Sequence, residues 1–209
     1  QAPATVSVTM LGKDGARPLA GAQSVAIDAG SVFDISLAGV PAGVYGVQVT
    51  SNTPVGAAVR LVRSAGEYPE RSQALIHDQA WAQAALPGAA DSGLLAVPRA
   101  SSLTSAVTVA NSGAATSVTL SSVDGSWSQD VAVAKGSAVV VEVPTEVAAV
   151  RLSAAGQESA SGTSRTPSGL AAATIVTAQA GGDLTGTLIS TVPAQPDASV
   201  RAQRSILLG

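Results

Sequence analysis

The sequence predicts an all-β chain folded as two tandem antiparallel sandwiches, and three observations point there. Apolar and polar residues alternate along most of its length, the period-two pattern of strands with one wet face. Strand-sized runs recur at intervals of about ten residues, broken by Gly, Pro, Asn and Asp, as in a sandwich or barrel. One unit also occurs twice. Ser7-Val8-Thr9 leads to Asp14-Gly15, and Ser117-Val118-Thr119 leads to Asp124-Gly125. Val25 to Gly30-Ser31 is answered by Val131 to Gly136-Ser137, and Gly46-Val47-Gln48-Val49-Thr50 by Ala149-Val150-Arg151-Leu152-Ser153. Leu94-Leu95-Ala96-Val97-Pro98 is answered by Leu188-Ile189-Ser190-Thr191-Val192-Pro193. The offset shortens along the chain, as small differences in loop length produce.

Taken in order, Val6, Val8 and Met10 face one way while Ser7 and Thr9 face the other. Asp14-Gly15 is a tight turn, because Asp tolerates and Gly favours positive φ. Phe33, Ile35 and Leu37 alternate with Asp34 and Ser36, and Val40-Pro41-Ala42-Gly43 closes that strand. Tyr45, Val47 and Val49 alternate with Gly46 and Gln48, which places Tyr45 in the core. Ser72 to Ala85 fits a short helix or a strand. Its counterpart, Gly169 to Gln179, reads as a strand through Thr174-Ile175-Val176-Thr177, and shared elements favour extended structure for both.

The second unit opens with a leading strand, Ala106 to Val109, before an Asn111-Ser112-Gly113 turn. Asp124-Gly125 turns the chain again, and Trp127 shares the inward parity of Val131 and Val133. Val139, Val141 and Val143 form the next strand, and Val150 and Leu152 flank Arg151 in another. The expected organisation is two immunoglobulin-like sandwiches, residues 1–98 and 99–194, joined near Pro98 to Ser102 and followed by a polar tail, 195–209. The first unit lacks the leading strand, which leaves an edge beside Val6 to Met10, and an unfilled edge is sticky. Residues upstream are the preferred source of that strand; the segment near Ser205-Ile206-Leu207-Leu208 is the alternative.

Composition narrows the function classes. Hydrophobic residues make up 46% of the 209 residues but aromatic ones only 2%, so the core is built from small aliphatic side chains. Charged residues reach 12% and the net charge is −3, which gives no basic stripe for a nucleic acid. The absence of Cys removes disulfides, thiolate chemistry and sulfur-ligated metals. No apolar run approaches the eighteen or so residues of a membrane span. The chain opens Gln1-Ala2-Pro3 with no signal peptide, so any export signal or anchor is expected outside it, in a longer parent protein.

No catalytic or metal-binding set stands out. His77 is the sole histidine, and Asp78 beside it on a strand would point to the opposite face, which defeats a Ser-His-Asp relay. The aspartates Asp28, Asp34, Asp91, Asp124, Asp130 and Asp183 are dispersed, unlike a calcium loop. Gly12-Lys13-Asp14-Gly15 and Gly181-Gly182-Asp183 are turns, too short for a phosphate cradle. The sequence therefore implies no enzyme, no metal and no cofactor. The remaining candidates are the ring residues Trp81 and Tyr68, with Arg60 and Arg63 nearby, as contacts for a ligand. The cluster Arg63, Glu67, Glu70 and Arg71 reads as a solvated loop.

Several segments together resemble a known family. Leu103 to Gly113 looks like the leading-strand motif of bacterial surface sandwiches. Gly43-Val44-Tyr45-Gly46-Val47-Gln48-Val49-Thr50-Ser51 with Pro54-Val55 resembles an actinobacterial envelope family, domain of unknown function 5719. Asp78-Gln79-Ala80-Trp81 before a Leu-Pro, with Leu94 to Pro98, resembles it too. The second unit departs from it in having no Trp to match Trp81. The resemblance implies a membrane-anchored protein facing outward, with repeated β domains and no catalytic residues to carry over. The expected function is a non-catalytic extracellular structural or interaction module of the cell envelope, with a cell-wall glycan-binding domain as the alternative.

Overall fold

The computed structural model describes residues 2–65, 76–85, 90–155, 168–179 and 187–196. All regular structure in them is β, in antiparallel pairings. Of the stretch from Ser72 that fits helix or strand, the described part is extended: Ile76–Gln83 is a strand, and so is its counterpart Leu170–Gln179.

The first body is built on β1 (Ala4–Gly12). Its C-terminal half pairs with β2 (Gly15–Pro18) and its N-terminal end with β3 (Val25–Ile27), both along one edge. Its other edge pairs with β4 (Gly46–Ser51), from Val6↔Ser51 to Leu11↔Gly46. Gly15 takes a φ of 101° to close the β1–β2 hairpin, a conformation that side chains with a Cβ resist. Ala4, Val6, Val8, Met10, Leu19 and Ala22 form the core, and Ile35, Leu37, Tyr45, Val47 and Val49 pack against it.

Two expectations change here. β1 is paired on both edges, so the open edge does not lie beside Val6 to Met10. Ile35 and Leu37 are half-buried as anticipated, but Phe33, expected on their face, is 54% exposed, and residues 28–45 join no ladder. Alternation sets which side chains turn inward; a ladder also needs a neighbouring strand to accept its hydrogen bonds.

The second body is a two-sheet sandwich. One sheet has the order β10 (Ser128–Val133), β9 (Thr116–Ser122), β12 (Ala149–Ala154), β7 (Ser92–Ala96) and β15 (Gln195–Pro196). The facing sheet has β11 (Ser137–Val141), β8 (Leu103–Asn111), β13 (Leu170–Gln179) and β14 (Thr187–Pro193). Leu95, Val97, Val107, Val109, Leu120, Val150, Leu152 and Leu170 fill the space between them, and Trp127 packs against this core. Thr174 Oγ1 donates to the Ala96 carbonyl at 2.7 Å, a polar tie between the two sheets.

β7 lies in this sandwich, paired with β12 from Ala149↔Ala96 to Ser153↔Ser92. The anticipated joint at Pro98 to Ser102 therefore falls between β7 and β8, inside one sandwich. β14, the segment matched with Leu94–Pro98 by sequence, joins β13 in the opposite sheet. Arg99 reinforces this crossing: its Nε donates to the Val147 carbonyl at 3.0 Å, and its Nη2 to those of Val143 and Pro144 at 2.9 and 2.8 Å.

The remaining strands, β5 (Ala58–Ala65) and β6 (Ile76–Gln83), form a hairpin of their own. It is tied to β14: the Ile189 N–H donates to Asp78 Oδ2 at 2.6 Å, and Thr191 Oγ1 donates to the Trp81 carbonyl at 3.0 Å. The two bodies meet through one leucine and small residues. Leu11, Ala110 and Ala138 form a buried cluster between them, and a Cβ on Gly46 would lie 2.5 Å from that of Ala110. At that separation nothing larger than glycine fits without moving the bodies apart.

Candidate functional site

The β5–β6 hairpin has a clean two-faced pattern. Ala80 is buried, and Val59, Leu61, Asp78 and Ala82 are half-buried on the face turned towards the protein. Arg60, Val62, Gln79, Trp81 and Gln83 are exposed on the other face, as strand alternation requires. Arg60 lies directly opposite Trp81 in the ladder. Its guanidinium carbon sits 5.9 Å from the centre of the indole ring, within range of a cation–π interaction. Trp81 nevertheless keeps 54% of its surface in water.

The arrangement is a flat aromatic platform with donors around it. Gln79 is opposite Val62, and Gln83 is opposite Ala58. Their amides and the Arg60 guanidinium can donate to a ligand resting on the indole. The platform is held still from beneath, since Asp78 and the Trp81 carbonyl are the groups bonded to β14.

Of the residues singled out in the sequence, Trp81 and Arg60 come together here. Arg63 is exposed but sits opposite Asp78, three positions from the Arg60–Trp81 pair and off its parity. Tyr68, with Glu67, Glu70 and Arg71, lies outside the described residues, as does the side chain of His77. Val62, Gln79 and Gln83 join the face through β5, a strand not among those expected from the sequence. Val59 and Leu61 alternating with Arg60 and Val62 was the available signal.

The aspartates do local work. Asp130 Oδ1 accepts from Thr119 Oγ1 across the β9–β10 ladder. Asp124 Oδ1 accepts from the Ser126 N–H at 3.1 Å and the Ser126 hydroxyl at 2.8 Å, beside Gly125 at φ 77°. Hydrogen bonding from Ser122, then from the Ser126 amide and hydroxyl, favours the ionised carboxylate and lowers its pKa from 3.8 to about 2. A lowered pKa means the folded hairpin holds its proton less tightly than the unfolded chain. Its stabilisation is therefore complete above pH 3.8 and is lost as pH falls towards about 2. A carbon-detected titration of the Asp124 carboxyl is expected to give its midpoint near the lower value; a midpoint at 3.8 would show the turn unformed.

Fold and face together define a class: an all-β protein with a two-sheet sandwich, a second β body packed against it, and an exposed Trp–Arg contact face. Within that class the identity is specific. The model of a family of unknown function, DUF5719, matches residues 1–144, and the chain belongs to that family. The match runs through the first body and the hairpin and ends after β11 of the sandwich. Neither the curated proteins nor the solved structures contain a match to the chain. Among the described residues no helix is long and apolar enough to cross a membrane.

Proposed function

We propose that this chain is a non-catalytic structural or interaction module of an outward-facing actinobacterial cell-envelope protein. It acts by display, holding a contact face on rigid β bodies towards a protein or glycan partner. The parent protein is anchored in the membrane through residues outside this sequence. The two bodies are immunoglobulin-like modules related by internal duplication. The arrangement of β10, β9 and β12, repeated by β2 with β3, β1 and β4, supports that relation. The observation behind the function is the exposed Trp81, ordered by Arg60 in a chain where aromatic residues are only 2%. Half-wet indoles with one polar neighbour are the anchors that interfaces favour.

The exposure of Trp81 also favours a second reading, a cell-wall glycan-binding domain. A sugar ring presents C–H groups to stack on an indole and hydroxyls to meet Arg60, Gln79 and Gln83. Co-sedimentation with isolated actinobacterial walls, before and after stripping the attached polysaccharide, tests both readings. A glycan module loses binding on stripping, and Trp81→Ala weakens its binding at least about tenfold while leaving the melting temperature almost unchanged. Binding that survives both stripping and Trp81→Ala sinks the glycan reading. Binding that survives stripping but not Trp81→Ala favours a protein partner at this face.

A further inference from the structure

β4 presents an open backbone edge whose filled equivalent is visible in the same molecule. The Asn52 N–H donates to the Thr5 carbonyl at 3.3 Å. In an antiparallel ladder the backbone groups then alternate, so Gln48 and Thr50 face β1 while Val47, Val49 and Ser51 face away. Val8, opposite Val49, gives the same phase, since its N–H and carbonyl bond Ala22 and Leu19 on the far side. Among the described residues no strand lies along the outer edge of β4.

β12 has the same phase and is complete. The Ala155 N–H donates to Ser117 at the start of β9, and the Ala154 N–H donates to the Asp91 carbonyl just before β7. Val150, Leu152 and Ala154 therefore face β7. With β7 in place, Val150 is 0% exposed, Leu152 2% and Ala154 3%. Val47 and Val49, with that neighbour missing, remain half-buried. Exposed edges are usually guarded by charge or proline, and β2 across the same sheet carries Arg17 and Pro18. β4, Gly-Val-Gln-Val-Thr-Ser, carries neither.

We propose that β4 is a strand-acceptor edge, completed by an extended segment of another polypeptide with the chemistry of β7. That segment runs antiparallel to β4 and bonds the outward groups of Val47, Val49 and Ser51. It presents aliphatic residues at alternate positions, as Leu95 and Val97 do over the larger core, and so closes the first core above Val47 and Val49. The edge is distinct from the Trp81 face, so the failure of either site leaves the other standing.

The probe is a peptide with the sequence of residues 90–98 and blocked ends, added to the whole chain while amide hydrogen exchange is followed. Saturable slowing of at least about tenfold is expected at Val47, Val49 and Ser51, with little change at Gln48 and Thr50, already bonded to β1. A peptide carrying Leu95→Asp gives no slowing. Ser51→Pro removes one outward donor and spares the β1 ladder, so it weakens peptide binding up to about tenfold. No slowing at millimolar peptide overturns the proposal, and so does slowing insensitive to both changes. Concentration-dependent dimerisation that protects the same three amides without peptide also overturns it, assigning the edge to a second copy.

Discussion

Leu95→Ala is expected to destabilise the chain by about 3 kcal/mol, whereas Leu94→Ala costs under about 1 kcal/mol. The two leucines are neighbours on β7 with opposite fates. Leu95 is fully buried between the sheets among Val97, Val150 and Leu152, while Leu94 keeps 37% of its surface exposed. Truncating the first removes three carbons from contact with packed neighbours and leaves a cavity; truncating the second mostly returns surface to water. In a domain of this size the larger loss lowers the melting temperature by roughly 10 °C. The comparison also tests register. A one-residue slip of β7 along β12 would exchange the faces of the two side chains, and Leu94 would then be the sensitive position.

Asn111→Ala is expected to cost about 3 kcal/mol, through polar groups left without partners rather than through lost volume. Asn111 has no exposed surface. Its Nδ2 donates to the carbonyls of Ala114 and Val133 at 2.7 and 3.1 Å, and its Oδ1 accepts from the Gly113 N–H at 2.8 Å. Only this orientation of the amide satisfies all three groups. The side chain thus ties the end of β8, in one sheet, to the end of β10, in the other, and fixes the turn leading into β9. Asn111→Asp does not rescue the loss: it keeps the acceptor but sets a second carboxylate oxygen against two carbonyls. Urea unfolding should show a lowered midpoint with an unchanged slope for both variants. An unfolding free energy for Asn111→Ala within about 0.5 kcal/mol of the parent would show that the network contributes no net stability.

How much of this was legible from the residues depends on the distance over which each feature is decided. β1, β4, β9, β11 and β12 follow from alternation and turn chemistry, which are local. Pairing is not local. β7 falls within the expected first unit, yet its partners come from Ala149–Ser153 and Gln195–Pro196, and nothing within Ser92–Ala96 announces them. Phe33 to Leu37 shows the reverse case, a strand pattern with no ladder. At the candidate face, Trp81 was readable as a rare aromatic, but its pairing with Arg60 depended on a strand hidden beside a charged stretch. Asn111 read simply as a turn residue; its burial is set by β8 and β10 coming together, which composition does not encode.

The course of β7 has a consequence for how such chains can be shuffled by recombination. A cut at the apparent joint near Pro98 would strip Leu95 and Val97 from the downstream sandwich and hand the upstream piece a strand with no place in its core. A cut between Ser51 and Ala58 instead leaves the first core whole and keeps β5, β6 and β7 with the sheets they bond. The heritable unit is therefore offset from the visible body. A library of hybrids crossed at these two points should express soluble protein from the second junction and aggregate from the first.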